Sequence, residues 1–282
     1  MSNLEELIQA IKKKKELQHL NDQFVKEQVL AYFKKNPAQQ EILNKKLNPK
    51  SKIYKEIVKT VRANLRRVYG LFRSEEGIEL RKKIVEQLSN APTSKIKKIV
   101  TEILQTHAST KERLHFYDKL YKKIFKITKK PNVIIDLGCG INPFSIPYMN
   151  YNNLSYYAYD LNESEIALIN KFFKIIKVKG KAEVLNILKT NKLVTLPKAE
   201  VCFLFKITDV LDQGRGHKTS ENVIKNIPAK FVVVSFPTFT MSGKKMNFPR
   251  RKWIELMSER LGYNFKVLEF SNEIFYIIKK DI

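Results

Sequence analysis

Two acids and a pair of glycines between them are the residues of this chain best suited to hold a nucleotide. Asp136 closes the apolar run Val133, Ile134, Ile135, and Leu137, Gly138, Cys139, Gly140, Ile141, Asn142 and Pro143 follow it. Short β-branched runs suit a buried parallel strand, and Pro143 suits the first turn of a helix, where its missing N–H is not needed. Glycine at 138 and 140 lets the backbone turn tightly and come close to a ligand. The next strand-like run, residues 155–160, ends in Asp160, twenty positions after Gly140. An acid at the tip of the second strand of a βαβ unit can accept hydrogen bonds from both ribose hydroxyls of an adenine nucleoside. Asn142 stands where a dinucleotide fingerprint would continue toward a third glycine, which favours S-adenosylmethionine over NAD. The alternative is an ordinary α/β turn with a solvent-facing Asp.

Other side chains invite chemical readings. Ser109 and Glu112 have the spacing of a capping box that opens a helix to about residue 125. Arg113 lies in its first turn, where a guanidinium can clamp a carboxylate in a bidentate pair. Lys206 ends the apolar strand 201–205, at the edge where ligands bind in doubly wound sheets, although a strand-end lysine can equally snorkel to water. Phe236 or Phe239 can stack on an extruded base, or serve as core or lid aromatics. No Ser-His-Asp set, paired carboxylates, CxxC or Cys-His cluster is evident, so no metal site is expected and Cys139 and Cys202 need no chemical role.

These residues need elements to position them. The chain of 282 residues is 43% hydrophobic, enough for a substantial core. It has no apolar run near eighteen residues and no leader-like start, so a cytoplasmic protein without a membrane span is expected. The net charge is +25, and residues 1–130 carry 31 Lys+Arg against 14 Asp+Glu. Such an excess suits a polyanionic partner, because each neutralised phosphate releases counterions. Ion-pair networks of a thermophile would need matching acids, which are missing. Residues 1–104 read as several helices. In the clearest, 52–72, Ile53, Ile57, Val61, Leu65 and Val68 mark one face, while Lys59, Arg62, Arg66 and Arg67 fall largely on the others. Together these cations suit a module that grips phosphate backbone without reading sequence. Residues 105–282 read as the α/β domain, closed by a hairpin at 265–270 and 274–278. Arg250, Arg251 and Lys252 open a helix containing Trp253, Leu256 and Leu261.

Residues 107–113, 138–143 and 158–160, together with Ser235, Phe236 and Pro237, resemble the aminoglycoside-resistance 16S rRNA guanine-N7 methyltransferases. Residues 65–70 resemble the last helix before that family's linker, and Asn272, Glu273 and Tyr276 its final hairpin. The resemblance implies a Rossmann-like class I methyltransferase sheet with a C-terminal antiparallel hairpin, preceded by an all-α domain. It also implies S-adenosylmethionine as donor, docking on the small ribosomal subunit, a guanine of the decoding A site as target, and a monomer. Arg113 is then expected to hold the methionine carboxylate, Gly138 and Gly140 to face the cofactor, Asp160 to bind ribose, and Leu185 and Asn186 to lie beside adenine. His107 is expected to help fix the linker, and with Asp136, Asn142, Leu161 and Phe205 it completes the expected cofactor-binding set. Lys206 and Phe236 are the candidate catalytic residues. RNA contacts are expected from Lys59, Arg62, Arg66, Arg67, Lys244, Lys245, Arg250 and Arg251.

The sequence departs from the family after Pro237. Phe239 stands where relatives carry a basic residue, and the stretch 242–246 is shorter than theirs. Guanine N7 offers an in-plane lone pair and no proton, so no general base is required. Positioning alone can supply on the order of 7 to 11 kcal/mol of barrier lowering. A methyltransferase for another RNA or a small molecule, and a non-catalytic ribosome-assembly factor, are the alternatives. Removing residues 1–100 is expected to leave cofactor binding largely intact while abolishing docking on the ribosomal subunit.

Overall fold

The computed structural model describes residues 2–66, 75–151, 153–212, 216–240 and 243–280. Helix α1 (Asn3–Lys12) opens with a capping box, Ser2 and Glu5 each accepting the other's backbone N–H. It packs with α2 (Asp22–Lys35) and α3 (Lys52–Leu65) around a core that includes Leu7, Ile11, Val25, Phe33, Ile57, Val61 and Leu65. The spacing read from the sequence therefore holds for Ile57, Val61 and Leu65, while Ile53 is exposed. Residues 67–72 of the expected helix, Arg67 and Val68 among them, lie outside the described residues.

Two further helices, α4 (Glu75–Leu88) and α5 (Thr93–Gln105), belong to a different core. Ile84, Val85, Leu88, Val100, Ile103 and Leu104 are buried in the same cluster as Phe144, Phe172, Phe203 and Phe275 of the α/β part. The expected boundary at residue 104 thus falls beyond the stretch with a core of its own. The reason is in the pattern: α5 presents a strongly one-sided apolar face, and the sheet offers the larger apolar surface to cover it.

The linker forms α6 (Ala108–Arg113) and, after a turn through Leu114, His115 and Phe116, α7 (Tyr117–Thr128). His107 occupies the N-cap of α6, so Ser109 lies inside the helix and the expected capping box with Glu112 does not form. The single helix expected to residue 125 is broken where Phe116 stacks on Phe270, with ring centroids 4.5 Å apart.

Seven strands follow: β1 (Val133–Leu137), β2 (Ser155–Asp160), β3 (Lys179–Val184), β4 (Ala199–Phe205), β5 (Ala229–Pro237), β6 (Asn264–Glu269) and β7 (Glu273–Lys279). Their order is β3-β2-β1-β4-β5-β7-β6, with β3 to β5 parallel and the β6–β7 hairpin antiparallel. Helices α8 (Glu163–Ile175), α9 (Thr190–Leu193), α10 (Thr208–Asp212), α11 (Lys218–Asn226) and α12 (Lys252–Arg260) complete the fold. Both faces are covered: along β5, Val233 joins one cluster while Val232 and Val234 join the other. Strand order reverses between β1 and β4, so the crevice beyond their C-terminal ends is where such a sheet accepts a ligand. The helix expected at Pro143 is a 3₁₀ segment, Asn142–Tyr148, with Pro147 inside it. Among the described residues no helix is long and apolar enough to cross a membrane.

Candidate active site

The turn after β1 is built around its two glycines. Gly138 and Gly140 have φ of 64° and 49°, and a Cβ on Gly138 would meet the Ile207 side chain at 2.9 Å, so a substitution there is strained and must displace Ile207. The backbone N–H groups of Gly138 and Cys139 donate to the carbonyl of Tyr159 at 2.8 and 3.0 Å. Asp160, buried at the tip of β2, accepts from Gly140 N–H at 2.9 Å, Leu161 N–H at 2.7 Å and Asn162 N–H at 3.1 Å. The carboxylate expected to hold ribose therefore also staples the glycine turn to the second strand. A carboxylate has about four lone-pair sites, and these three donors leave limited accepting capacity for a ligand.

Asp136 and Asn142 shape the turn from behind. Asn142 Nδ2 and the Tyr156 hydroxyl both donate to Asp136 Oδ2, at 2.9 and 2.7 Å, and the Tyr117 hydroxyl donates to Asn142 Oδ1 at 3.0 Å. Burial pushes the Asp136 carboxyl up to about 6 against the pull of these hydrogen bonds. Leu185 donates its N–H to the Asp160 carbonyl at 3.0 Å, which sets the β3 tip beside the β2 tip. Leu161 packs against the core of α1 to α3, and Asn186 Nδ2 donates to Glu27 of α2 at 3.4 Å. Lys189, close by, forms an ion pair with the same Glu27. The predicted ribose and adenine neighbours thus touch the N-terminal helices, a contact that sequence spacing could not show.

At the tips of β4 and β7 lies a charged cluster. Arg113 is buried, its guanidinium over the Phe205 ring at 4.8 Å and paired with Glu273 through contacts of 3.1, 2.9 and 2.8 Å. Burial opposes its charge, but the Glu273 carboxylate and Tyr117 more than offset this and raise its pKa. Lys206, with a left-handed φ of 55°, sends Nζ to Glu112 at 2.5 Å and lies 3.5 Å from Glu273. A β-sheet tip that holds a non-glycine residue in that region stores strain, and such strain clusters at functional sites. The conformation is held by the Lys206 N–H, which donates to the Ser235 carbonyl at 3.2 Å and to its Oγ at 3.0 Å. Two residues after Lys206, the hydroxyl of Thr208 is buried without a hydrogen-bond partner.

Some expected site residues fall elsewhere. Phe236 is fully buried, edge-on to Trp253 and Tyr276 with Arg251 over its ring at 5.2 Å, so it cannot stack on an extruded base and is a core aromatic. His107 is engaged within the linker, its carbonyl accepting from Lys111 N–H at 2.9 Å and its ring 3.0 Å from the Ser109 hydroxyl. Lys59, Arg62 and Arg66 line a groove on α3 with Lys14, Lys55, Tyr54 and Val58. Arg62 donates to the carbonyls of Ile11 and Ala10 at the end of α1, and Arg66 pairs with Glu16 at 2.7 Å. Lys244 and Lys245 are exposed on the excursion between β5 and α12. Arg250 pairs with Glu255 at 2.8 Å, and Arg251 holds the carbonyls of Pro249 and Pro237 at 3.1 and 3.4 Å. The partnership of Glu273 with Arg113 was missed from sequence, although an acid heading the apolar run 274–278 was its signal. Among the described residues no group of three or more His, Cys, Asp or Glu could hold a metal ion.

Known proteins resemble this chain over most of its length. A protein of Proteus mirabilis named 16S rRNA (guanine(1405)-N(7))-methyltransferase is 27% identical over 80% of this chain and 85% of its own. A Frankia casuarinae protein of the same name is 26% identical, with 80% of each chain covered. The 16S rRNA methyltransferase RmtF, solved with S-adenosyl-L-homocysteine, has the same fold at a TM-score of 0.75, with 19% identity and 99% of both chains covered. The 16S rRNA methylase RmtB superposes at a TM-score of 0.74, with 20% identity over the whole of both chains. Residues 40–277 match the family described as Ribosomal RNA methyltransferase (FmrO), and the chain belongs to that family.

Proposed function

We propose that this chain transfers the methyl group of S-adenosylmethionine to N7 of a guanine in the decoding A site of 16S rRNA, on the assembled small subunit. The observation that carries this reading is the glycine turn stapled to Asp160 at the switch point of the sheet, in a member of a ribosomal RNA methyltransferase family whose relatives bear the guanine-N7 name. The residues present fit the donor. Gly138 and Gly140 give the turn its left-handed backbone, Asp160 and Leu161 at the β2 tip would take the ribose, and Leu185 and Asn186 at the β3 tip would lie beside adenine. Arg113 and Lys206 are the cations a methionine carboxylate would meet there, each shared in the structure with Glu273 or Glu112. When bound, the donor supplies an electrophilic methyl on sulfur. The chain's own part is to orient N7 toward that methyl, and no proton has to be removed from the acceptor.

The basic helices within residues 1–104 serve in this reading as the docking unit, with Lys59 and its neighbours on α3 against phosphates. The site of action is then wherever small subunits are assembled, and protection against aminoglycosides is a natural consequence of modifying the decoding region. The test is methylation of intact small subunits with labelled donor, followed by borohydride and aniline scission and primer extension. A single new stop at a decoding-region guanine is expected. Label on tRNA, on a cytosine or on an exocyclic nitrogen would rule the substrate out.

A further inference from the structure

Phe248 is 88% exposed, far more than any other large apolar side chain among the described residues. Most proteins leave single apolar groups partly in water, but a phenyl ring this bare forgoes nearly all of its burial energy. Its mount is not loose. The excursion leaves β5 at Pro237, and Phe239 and Lys245 form an antiparallel bridge in it. Met246 N–H donates to the Thr238 carbonyl and Thr240 N–H to the Lys244 carbonyl, both at 2.8 Å. On the far side, Pro249 restricts the backbone of Phe248, and Arg251 grips the Pro249 carbonyl while its own N–H donates to the Tyr276 hydroxyl at 2.7 Å. The ring is thus held out from a fixed support, so little conformational freedom remains to be lost when it meets a partner.

We infer that Phe248 is a stacking platform for an unpaired base of the RNA substrate, flanked by cations that take the adjoining phosphates. Lys244 and Lys245 precede it and Arg250 and Lys252 follow it, all on the excursion and the start of α12. Aromatic rings interleaved with cations suit single-stranded or splayed-out RNA, whose bases have exposed faces and whose backbone carries charge. The excursion leaves the sheet beside Ser235, whose carbonyl and hydroxyl hold the Lys206 backbone, so the platform rises from the same edge as the candidate site. Stacking supplies affinity without reading sequence, since every base has a π-face. It also offers a physical use for the departure from the family's pattern in this stretch. The inference rests on the proposed rRNA substrate.

The experiment has two arms, both on the full chain with assembled small subunits. In the first, Phe248→Ala is compared with Phe248→Tyr. Loss of one stacked base should lower kcat/KM for subunits by roughly 5- to 150-fold in the Ala variant. The Tyr variant should stay near wild type, and neither should change Tm or affinity for S-adenosylhomocysteine. In the second, p-benzoylphenylalanine at 248 is irradiated on the subunit, and the adduct should lie in 16S rRNA. An adduct in a ribosomal protein, or an Ala variant as active as wild type, overturns the stacking assignment alone. A wild-type chain that neither binds nor methylates subunits overturns it together with the substrate reading.

Discussion

Arg113 and Glu273 stand 160 positions apart and form a buried two-pronged ion pair, with contacts of 2.8 to 3.1 Å. The pair joins the linker to the first residue of β7 and places two charges under Lys206. An arginine so held keeps one orientation. It also makes Glu273 a determinant of the site although no sequence motif points to its partner.

Glu273→Ala should destabilise the protein by about 3 to 5 kcal/mol, because it leaves the Arg113 charge buried and uncompensated. Replacing both residues by apolar ones should restore much of that stability while abolishing cofactor binding. Urea unfolding with calorimetric titration of S-adenosylhomocysteine reads both quantities. A single variant with an unchanged unfolding midpoint would show that the pair contributes nothing.

Asp160→Ala removes the acceptor of three backbone N–H groups and should loosen the turn as well as weaken the donor. The orphaned donors, of which Asn162 N–H is buried, should cost about 1 to 3 kcal/mol of stability, and cofactor affinity should fall because the turn is no longer held. Asp160→Asn, which keeps an acceptor oxygen, should lose less. Equal affinities for wild type and the Ala variant would remove Asp160 from the site.

Asp136 sets a pH dependence whose sign follows from its raised pKa. The native carboxyl titrates near 6 and the unfolded one near 3.8, so between these values the native state binds more protons. This contribution to stability is full below about pH 4 and lost as pH rises through 6, by about 3 kcal/mol at a rate of 1.36 kcal/mol per pKa unit. In Asp136→Asn the loss should be absent, so the difference in unfolding free energy between wild type and variant should change by that amount from pH 4 to pH 7. Parallel curves for the two proteins across that range would mean that Asp136 is ionised throughout.

The glycine turn, the strands on either side of it and the hairpin were legible because they rest on local signals, β-branched runs, glycine spacing and alternation, whereas the sheet they build was implied by the family resemblance. What escaped were tertiary pairings. The sequence leaves Phe236 open between a base-stacking and a core aromatic, and only the packing of Trp253 and Tyr276 against it decides for the core. The capping box at Ser109 and Glu112 lost to His107, two positions earlier, because Thr110 donates to the carbonyls of Leu104 and His107 at 2.6 and 3.1 Å and fixes the helix start there. Glu112 is instead drawn to Lys206, 94 positions away. Nothing in residues 75–105 alone states that their apolar faces cover the sheet.

That last contact argues against the expectation that removing residues 1–100 leaves cofactor binding largely intact and costs only docking on the subunit. A chain starting at residue 101 lacks Ile84, Val85, Leu88 and Val100, all buried against the sheet, and the Arg81 partner of buried Glu165, 2.9 Å from it. It should fail to fold. A chain starting at residue 75 keeps these groups and should fold, but it loses Glu27, which engages Lys189 and Asn186, and the helical surface behind Leu161. Its cofactor affinity should therefore fall. Glu27→Ala isolates the polar part, and a half-exposed ion pair of this kind is worth about 0.2 to 1 kcal/mol, or a loss of up to fivefold. By reciprocity, any docking event that tightens α2 on the β2 and β3 tips must tighten cofactor binding by the same factor. Calorimetry on the chain starting at residue 75, on Glu27→Ala and on wild type with and without small subunits decides it. Identical affinities in all four would show the helices to be a passive handle.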